Sequence, residues 1–283
     1  MCIPSTVVPS LKASIRIIIR PIFKNKIVKK VSSFRVSQLG LYFLISQLEY
    51  LQGIGAGAGV TSSGESVLAK RLKKSNRDLV VFDVGANRGQ FTEMIDSKLE
   101  EAEIHLFEPQ KSLAGKLNNE YSDESNKYIN EFALSTENSE QTLYYNEQGS
   151  GLASLTKRKL DHFDIDFDER EVVEIKTIDR YCDEVNVNKI DLLKIDVEGH
   201  EMSVLDGAEQ MIRNGSIEYI SFEFGGANID TRTYFQDYYY FFDNHGYDIY
   251  RILPGGRLYK IDRYRELDEK FRTTNFVAIN QRK

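Results

Sequence analysis

The sequence predicts an α/β protein in which helices cover both faces of a mostly parallel sheet. Short apolar runs alternate with amphipathic segments from residue 78 onward. The apolar runs are nearly continuous, which is typical of parallel strands buried on both faces. We predict helices at 62–74, 90–99, 111–119, 201–213 and 231–245 and strands at 79–83, 103–108, 128–134, 142–145, 172–175, 190–197, 217–224, 247–253 and 275–280. The first of these helices would begin with a capping box, in which Ser62 caps the helix and Glu65 follows three residues later.

Length and composition fit one folded domain with an appendage. The chain has 283 residues, of which 41% are apolar and 28% are charged, and its net charge is −6. A negative charge argues against a nucleic-acid partner, which requires a basic surface. Two isolated cysteines, Cys2 and Cys182, predict neither a disulfide framework nor a zinc site. Because no apolar run approaches the ~20 residues that span a bilayer and no signal peptide is evident, we expect a cytoplasmic protein.

The first 60 residues differ from the rest in charge. Eight lysines and arginines, and no acidic residue, precede Glu49. Their spacing predicts amphipathic helices within residues 11–50, followed by a glycine-rich loop at 53–59. This segment could lie on an anionic membrane surface, or pack as a helical arm on the main domain or on a second subunit. We therefore divide the chain into a basic arm with its glycine-rich loop, 1–60, and a main domain, 61–283.

A glycine-rich turn between a strand and a helix is the strongest local signal. Asp83, Gly85 and Gly89 form the pattern D-x-G-x-x-x-G. Gly85 allows a sharp turn, Gly89 allows close approach to the helix start, and Asp83 can accept a hydrogen bond from an ammonium group. Glu108 ends the next strand, where an acid can bind both hydroxyls of a ribose. Because a pyrophosphate needs G-x-G-x-x-G, this spacing favours a nucleoside without phosphate, such as S-adenosylmethionine (SAM).

Polar residues also crowd the ends of two later strands. Asp196, Glu198 and His200 follow the apolar strand 190–197, and Glu223 ends the next strand. Such ends converge over the ligand, and crowding should separate their pKa values. If a methyl group goes to a hydroxyl, Asp196 or His200 could take the proton, while Glu198 could bind a neighbouring hydroxyl or orient His200. Alternatively, Glu198 and Glu201 favour the following helix N-terminus through its dipole, and His200 is structural.

Two further interpretations of these regions are less specific. Asp196, Glu223 and Asn228 carry the oxygen ligands that Mg²⁺ prefers, but the set is generic and we predict no metal. The aromatic residues of segment 234–242 could line an acceptor pocket, although burial against the sheet accounts for them better.

At the glycine-rich turn and at the later strand ends, the sequence resembles the FkbM-type methyltransferases, a SAM-dependent group with a Rossmann-like, seven-stranded class I fold. The matching pieces occur in family order at 83–89, 107–109, 133–135, 177–179 and 193–199. The resemblance implies O-methylation, often of a sugar hydroxyl in a glycan or a glycosylated natural product. It also implies an adenine near Ala133 and SAM contacts at Asp83, Gly85, Asn87, Gly89 and Glu108.

The leading hypothesis is therefore methyl transfer from SAM to a hydroxyl of a sugar in a glycan or polysaccharide precursor. The acceptor is a small molecule or a glycan, and a membrane contact through residues 11–50 would bring the enzyme to the inner face of the membrane. One alternative is O-methylation of a polyketide-type or other small natural product. Alternatives from other classes are an NAD-dependent oxidoreductase and a non-catalytic nucleoside-binding protein.

Overall fold

The computed structural model describes residue 21 and residues 23–59, 63–75, 78–99 and 101–282. It contains two compact units, one ending at Glu49 and the other beginning at Tyr50. The glycine-rich loop 53–59 therefore belongs to the second unit. The helix expected across residues 11–20 and the predicted helix-capping residue Ser62 lie outside the described residues.

The first unit includes the helices α1 (Lys26–Ser32) and α2 (Arg35–Leu51), the second of which ends just past the unit boundary. No residue of α2 is buried. Within the described residues, no helix is both long enough and apolar enough to cross a membrane. The large apolar side chains that α2 exposes are Val36, Leu39, Leu41, Tyr42, Phe43, Leu44, Ile45, Leu48, Tyr50 and Leu51.

The second unit is built on two sheets. The described strands are β1 (Val80–Val84), β2 (Glu103–Phe107), β3 (Lys127–Asn130), β4 (Ala133–Leu134), β5 (Ser139–Tyr145), β6 (Glu169–Lys176), β7 (Ile190–Ile195), β8 (Ile217–Phe224), β9 (Tyr247–Leu253), β10 (Arg257–Lys260) and β11 (Thr274–Asn280). The larger sheet has the order β10-β9-β11-β8-β7-β1-β2-β3, and the smaller one has the order β4-β6-β5. Strands β3, β2, β1, β7 and β8 are parallel, whereas β11, β9 and β10 pair antiparallel. The predicted mostly parallel sheet is confirmed.

Eight strands form the main sheet where seven were expected. The additional strand, β10, returns along β9 after a tight turn in which Gly256 N donates to Leu253 O at 2.8 Å. The predicted strand 128–134 is in fact two strands, because β3 joins the main sheet and β4 pairs with β6. The chain therefore leaves the main sheet after Asn130 and builds the smaller one.

Helices cover both faces of the main sheet, as predicted. They are α3 (Ser66–Leu72), α4 (Gln90–Asp96), α5 (Lys111–Glu120), α6 (Ile178–Val185), α7 (Glu201–Asp206), α8 (Glu209–Arg213), α9 (Ala227–Thr231) and α10 (Phe235–Asn244). Successive residues of β1 point into two different cores. Phe82 packs with residues of α6, α7, α8 and α10, whereas Val81 packs with residues of α3, α4 and α5. This alternation follows from the two-residue period of a strand.

The aromatic segment forms part of this core. Phe235, Tyr238 and Phe242 of α10 are fully buried, and Phe222 of β8 stacks on Tyr238 with ring centroids 4.9 Å apart. Packing against the sheet, rather than an acceptor pocket, explains these three side chains.

The helix predicted at 201–213 is broken at Gly207 into α7 and α8. A Cβ atom at Gly207 would lie 2.1 Å from the carbonyl oxygen of Ser135. The amide of Asp179 donates to Gly207 O at 3.0 Å, so α6, a helix that the sequence pattern did not predict, docks at this break. Thr177 caps the N-terminus of α6, and its hydroxyl accepts a hydrogen bond from Arg180 N.

Two glycine-to-alanine substitutions should have opposite effects on stability. Gly207→Ala forces a Cβ into the Ser135 carbonyl and should lower the free energy of unfolding by about 1–3 kcal/mol. Gly115 lies within α5, and a Cβ added there would have no other atom within 4 Å, so Gly115→Ala should raise stability by about 0.5–1 kcal/mol. Urea denaturation measures both, and an unchanged midpoint for Gly207→Ala would contradict the close approach.

Candidate active site

A cavity of about 350 Å³ opens at the carboxyl ends of the central strands. Its wall includes the ends of β1, β2, β7 and β8, and the segments 57–59 and 150–155. Its volume is in the range of small-molecule pockets, and its position is where ligands bind in open α/β sheets. All but one of the predicted site residues line this cavity: Asp83, Gly85, Asn87, Glu108, Ala133, Asp196, Glu198, His200 and Glu223.

Gly89 is the exception. It precedes α4 with a left-handed φ of 74°. A Cβ atom at this position would lie 3.0 Å from Leu117 Cδ2 and 3.1 Å from the Tyr121 hydroxyl, both next to or within α5. The glycine therefore allows α4 and α5 to pack closely, and the SAM contact that the resemblance implies at Gly89 stays a prediction.

The turn after β1 brings three strands together at one point. Gly85 has a φ of 81°, and a Cβ atom there would lie only 1.9 Å from the carbonyl oxygen of Asp196, directly after β7. The amides of Gly85 and Ala86 both donate to Phe107 O of β2, at 2.9 and 3.0 Å. Only glycine fits this position, because any side chain would collide with backbone.

The carboxylate of Glu108 is held by two backbone amides. Its Oε2 accepts a hydrogen bond from Asn87 N at 2.8 Å, and its Oε1 accepts one from Gln110 N at 2.9 Å. Each oxygen keeps a second lone pair, so the group can still accept hydrogen bonds from two adjacent hydroxyls. Burial raises the pKa of Glu108 to about 7. Asn87 Oδ1, also in the cavity wall, is buried without a hydrogen-bond partner among the described residues.

A loop that carries no recognisable sequence motif closes one side of the cavity. Gln110 fixes it at two points, since its Nε2 donates to Ser150 O at 2.9 Å and its Oε1 accepts from Gly149 N at 3.1 Å. Further along, the Ser154 hydroxyl donates to Glu198 O at 2.9 Å. The sequence did not predict a role for this loop, because its contacts run mostly through backbone groups.

A buried lysine lies between the two halves of the cavity. Lys194 is 5% exposed, and its ammonium lies 2.9 Å from Asp196 Oδ2 and 5.5 Å from the centre of the Phe91 ring. Burial alone would lower the pKa of Lys194, but the carboxylates of Asp196, Glu65 and Asp83 raise it above its usual value. Lys194 is therefore charged and compensates part of the negative charge of the site.

Asp83 is buried beside this lysine in the sheet. Its Oδ2 accepts a hydrogen bond from the Thr92 hydroxyl at 2.7 Å, which fixes the carboxylate against the first turn of α4. Burial raises the pKa of Asp83, while Lys194 opposes that shift.

Two acids at the far end of the cavity have raised pKa values. Burial, together with the charge of Asp196, raises the pKa of Glu198 to about 8. Burial raises the pKa of Glu223 well above its usual value, and Asp196 and Glu198 add to the shift. Glu198 also forms an ion pair with Arg158, whose Nε lies 3.5 Å from Asp230 Oδ2. Burial therefore favours the protonated form of both carboxyls, and the Arg158 guanidinium opposes this shift at Glu198.

His200 faces the cavity from the position just before α7. Its Nε2 lies 2.9 Å from the hydroxyl oxygen of Thr156, and burial lowers its pKa, so the imidazole is neutral at pH 7. The acid that serves the helix N-terminus is Glu201, whose Oε1 accepts a hydrogen bond from Gly199 N at 3.0 Å. His200 and Glu198 therefore line the cavity, and their roles do not reduce to helix capping.

The magnesium interpretation is not supported by the position of Asn228. Its Oδ1 accepts a hydrogen bond from Gly225 N at 2.8 Å, and its Nδ2 donates to Glu201 and to the Tyr238 hydroxyl. Both ends of the side chain are thus used outside the cavity. Within the part of the chain that is described, no group of three histidine, cysteine, aspartate or glutamate side chains is arranged to hold a metal ion.

The position of Glu65 differs from the one that the sequence predicts. We expected this residue at the third position of a helix capped by Ser62, but α3 begins at Ser66 and Glu65 precedes it. The Glu65 carboxyl instead lines the cavity and accepts a hydrogen bond from the Ser63 hydroxyl at 2.8 Å. The sequence feature that could have identified Glu65 as a candidate site residue is an acid placed directly before an apolar helix.

The arrangement can hold a nucleoside with a charged side chain. Glu108 offers two oxygens to a ribose at β2, the backbone of the Gly85 turn borders the cavity next to it, and a group of mostly acidic side chains follows toward β7 and β8. Two buried oxygens of the wall, on Asn87 and Glu65, have no hydrogen-bond partner among the described residues, as expected where a polar ligand completes the site.

Comparison with known proteins identifies the family of this chain. The Methyltransferase FkbM domain matches residues 83–249, which is more than half of the chain. No curated protein matches the sequence. The structure is similar to that of the O-methyltransferase from Bacillus cereus in complex with SAH, at 9% identity and a TM-score of 0.44, over 89% of this chain and 96% of that chain. It is also similar to the precorrin-6y C5,15-methyltransferase from Geobacter metallireducens GS-15, at 10% identity and a TM-score of 0.41, over 77% of this chain and 87% of that chain.

The family match spans the β1 turn, Glu108 and the strand ends that carry Asp196 and Glu223, all of which line the cavity. The cofactor of this group of enzymes is SAM, and the residues of the cavity fit it. The chain belongs to the FkbM family of SAM-dependent methyltransferases.

Proposed function

We propose that the enzyme transfers the methyl group of SAM to a hydroxyl of a sugar in a glycan or polysaccharide precursor. The observation that carries this proposal is the group of acids at the β7 and β8 end of the cavity, which comprises Asp196, Glu198 and Glu223. Such a group can bind several hydroxyls of one acceptor and take up the proton that the reacting hydroxyl loses.

The other end of the cavity is assigned to the cofactor. Glu108 accepts hydrogen bonds from the two ribose hydroxyls, Asn87 Oδ1 accepts from a polar group of the same nucleoside, and Ala133 lies along the adenine. The turn at Gly85, with Asp83 beside it, holds the amino-acid end. SAM supplies an electrophilic methyl group on its sulfonium. The protein's task is to hold that group in line with the acceptor oxygen.

We assign the role of general base to Asp196. Its carboxylate is fixed by the ammonium of Lys194 at 2.9 Å, and 39% of its side chain remains exposed, so an acceptor can reach it. His200 is the other candidate from the sequence, but its Nε2 is engaged with Thr156 and burial lowers its pKa, which makes the imidazole a weaker base.

The charge of the cavity favours a neutral acceptor. Acidic side chains outnumber basic ones in its wall, which includes Lys194 and Arg88. An acceptor with a carboxylate or phosphate next to the reacting oxygen would be repelled. A sugar is neutral and has many hydroxyls, and the carboxyls of Glu198 and Glu223 can accept hydrogen bonds from them.

A hydroxyl of a polyketide-type or other small natural product is the alternative acceptor, and it would use the same base. The two alternatives from other classes do not fit the family: FkbM proteins are methyltransferases that use SAM, not NAD-dependent oxidoreductases or non-catalytic nucleoside-binding proteins.

We further propose that the basic arm brings a cytoplasmic enzyme to the inner face of a membrane, where a lipid-linked precursor would be available. Helix α1 carries Lys26, Lys29 and Lys30, and α2 exposes a run of large apolar side chains. Lysines attract anionic lipid, and apolar side chains enter the membrane–water interface. A helical segment with both kinds of side chain is typical of one that lies on a membrane surface. Packing of the arm on a second subunit is the competing hypothesis.

Glu108→Gln should weaken SAM binding. The amide keeps the shape of the side chain but offers one acceptor oxygen instead of two, and the loss should be about 1–3 kcal/mol, measured by isothermal titration calorimetry. Glu120→Gln, on the exposed end of α5, is the matched control and should bind SAM like the unmodified enzyme. An unchanged dissociation constant for Glu108→Gln would remove this residue from the ribose site.

Asp196→Asn should reduce turnover far more than SAM affinity. Loss of a general base should lower kcat by a factor on the order of 10²–10⁴, while the dissociation constant of SAM changes by less than about threefold. Asp248→Asn, on β9 and paired with Lys260, is the control. If Asp196→Asn keeps half or more of the original kcat, another group takes the proton.

Replacing Lys26, Lys29 and Lys30 together with glutamine should weaken binding of the full chain to vesicles that contain anionic lipid. Each lysine contributes about 1 kcal/mol near such a surface, so the loss should be large at low salt and small at high salt. Co-sedimentation with anionic and with zwitterionic vesicles measures it. Equal sedimentation of the unmodified and the substituted proteins would favour the packing role of the arm.

A further inference from the structure

Glu65 is a buried acid in the cavity wall to which no role has yet been assigned. It comes directly before α3 and is 2% exposed. Its Oε2 accepts a hydrogen bond from the Ser63 hydroxyl at 2.8 Å, which fixes the direction of the carboxyl group. Its Oε1 is buried and has no hydrogen-bond partner among the described residues.

A buried carboxyl oxygen without a partner is costly. Leaving a buried acceptor unpaired costs about 1–3 kcal/mol, and more when the group is charged. Lys194 does not relieve this cost directly, because Glu65 Oε1 accepts no hydrogen bond from its ammonium. Burial also raises the pKa of Glu65, which disfavours the ionised form of the carboxyl. The position becomes favourable once a cation donates a hydrogen bond to Oε1.

The location of Glu65 indicates where on the ligand that cation lies. Asp83 of β1 and Lys194 of β7 are direct neighbours in the sheet, and both interact electrostatically with Glu65. Glu108 is on the opposite side of β1, after β2. A nucleoside whose ribose is bound by Glu108 therefore extends over β1 and the Gly85 turn, and the group attached to its ribose points toward Glu65.

We propose that Glu65 is the residue that recognises the amino-acid end of SAM, with its Oε1 accepting a hydrogen bond from the α-ammonium group. The carboxylates of Glu65, Asp83 and Asp196 all interact electrostatically with Lys194, whose ammonium carries only one positive charge. One further ammonium from the ligand, with three donors, balances this charge and supplies the hydrogen bond that Oε1 lacks. The assignment rests on the proposed cofactor site but does not depend on which acceptor the enzyme methylates.

The test compares three ligands on the full-length protein by isothermal titration calorimetry. SAM and S-adenosylhomocysteine (SAH) both carry the α-ammonium, whereas 5′-methylthioadenosine keeps the nucleoside and lacks the amino acid. Glu65→Gln should weaken both SAM and SAH by a factor on the order of 10–100, the usual strength of a charge-assisted hydrogen bond. Binding of 5′-methylthioadenosine should stay within about twofold of that to the unmodified protein.

Two control variants show whether the loss of affinity belongs to the carboxylate of Glu65. Glu140→Gln, an exposed acid of β5, should bind all three ligands normally, and Glu65→Asp, which keeps the charge, should recover part of the affinity for SAH. If Glu65→Gln binds SAH as tightly as the unmodified protein does, or loses affinity for SAM alone, the ammonium assignment is wrong. An equal loss for 5′-methylthioadenosine also overturns it, because Glu65 would then support the whole cavity. Failure of Glu108→Gln to affect any ligand would instead contradict the ribose site.

Discussion

The close approach of two strand ends organises this enzyme. The α-carbon of Gly85, after β1, lies against the carbonyl oxygen of Asp196, after β7, with no room for a side chain between them. The same turn is tied to β2 through Phe107 O. Three neighbouring parallel strands therefore end at one point, and the residues that follow them share one cavity. The proposed cofactor and acceptor groups lie side by side because the backbone turns are packed so tightly.

Charge inside that cavity follows from this geometry. Parallel strands that end together bring their acids together, and burial raises the pKa values of Asp83, Glu108, Glu198 and Glu223. Lys194 is the buried cation that compensates some of this charge. A cavity with excess acid suits a ligand such as SAM, which brings a sulfonium and an ammonium. It also suits a neutral acceptor, because several carboxyls can bind hydroxyls.

Much of the fold and part of the site could be predicted from the sequence. The strand-turn-helix at 83–89 and the acid at 108 are local patterns, and the cavity lies where these patterns end. The surroundings of Glu65 and Gly89 could not be predicted in the same way, because they depend on contacts with distant segments: Glu65 faces β1 and β7, and Gly89 faces α5. Likewise, the break at Gly207 is set by the Ser135 carbonyl, which no helical periodicity reveals.

The most direct test of this account is a crystal structure of the full chain with SAH. We expect the two ribose hydroxyls within hydrogen-bond distance of the Glu108 carboxylate and the amino-acid end over the Gly85 turn, on the β7 side. A structure in which SAH lies elsewhere, or in which its ribose is turned away from Glu108 toward β8, would contradict the assignment of the two ends of the cavity.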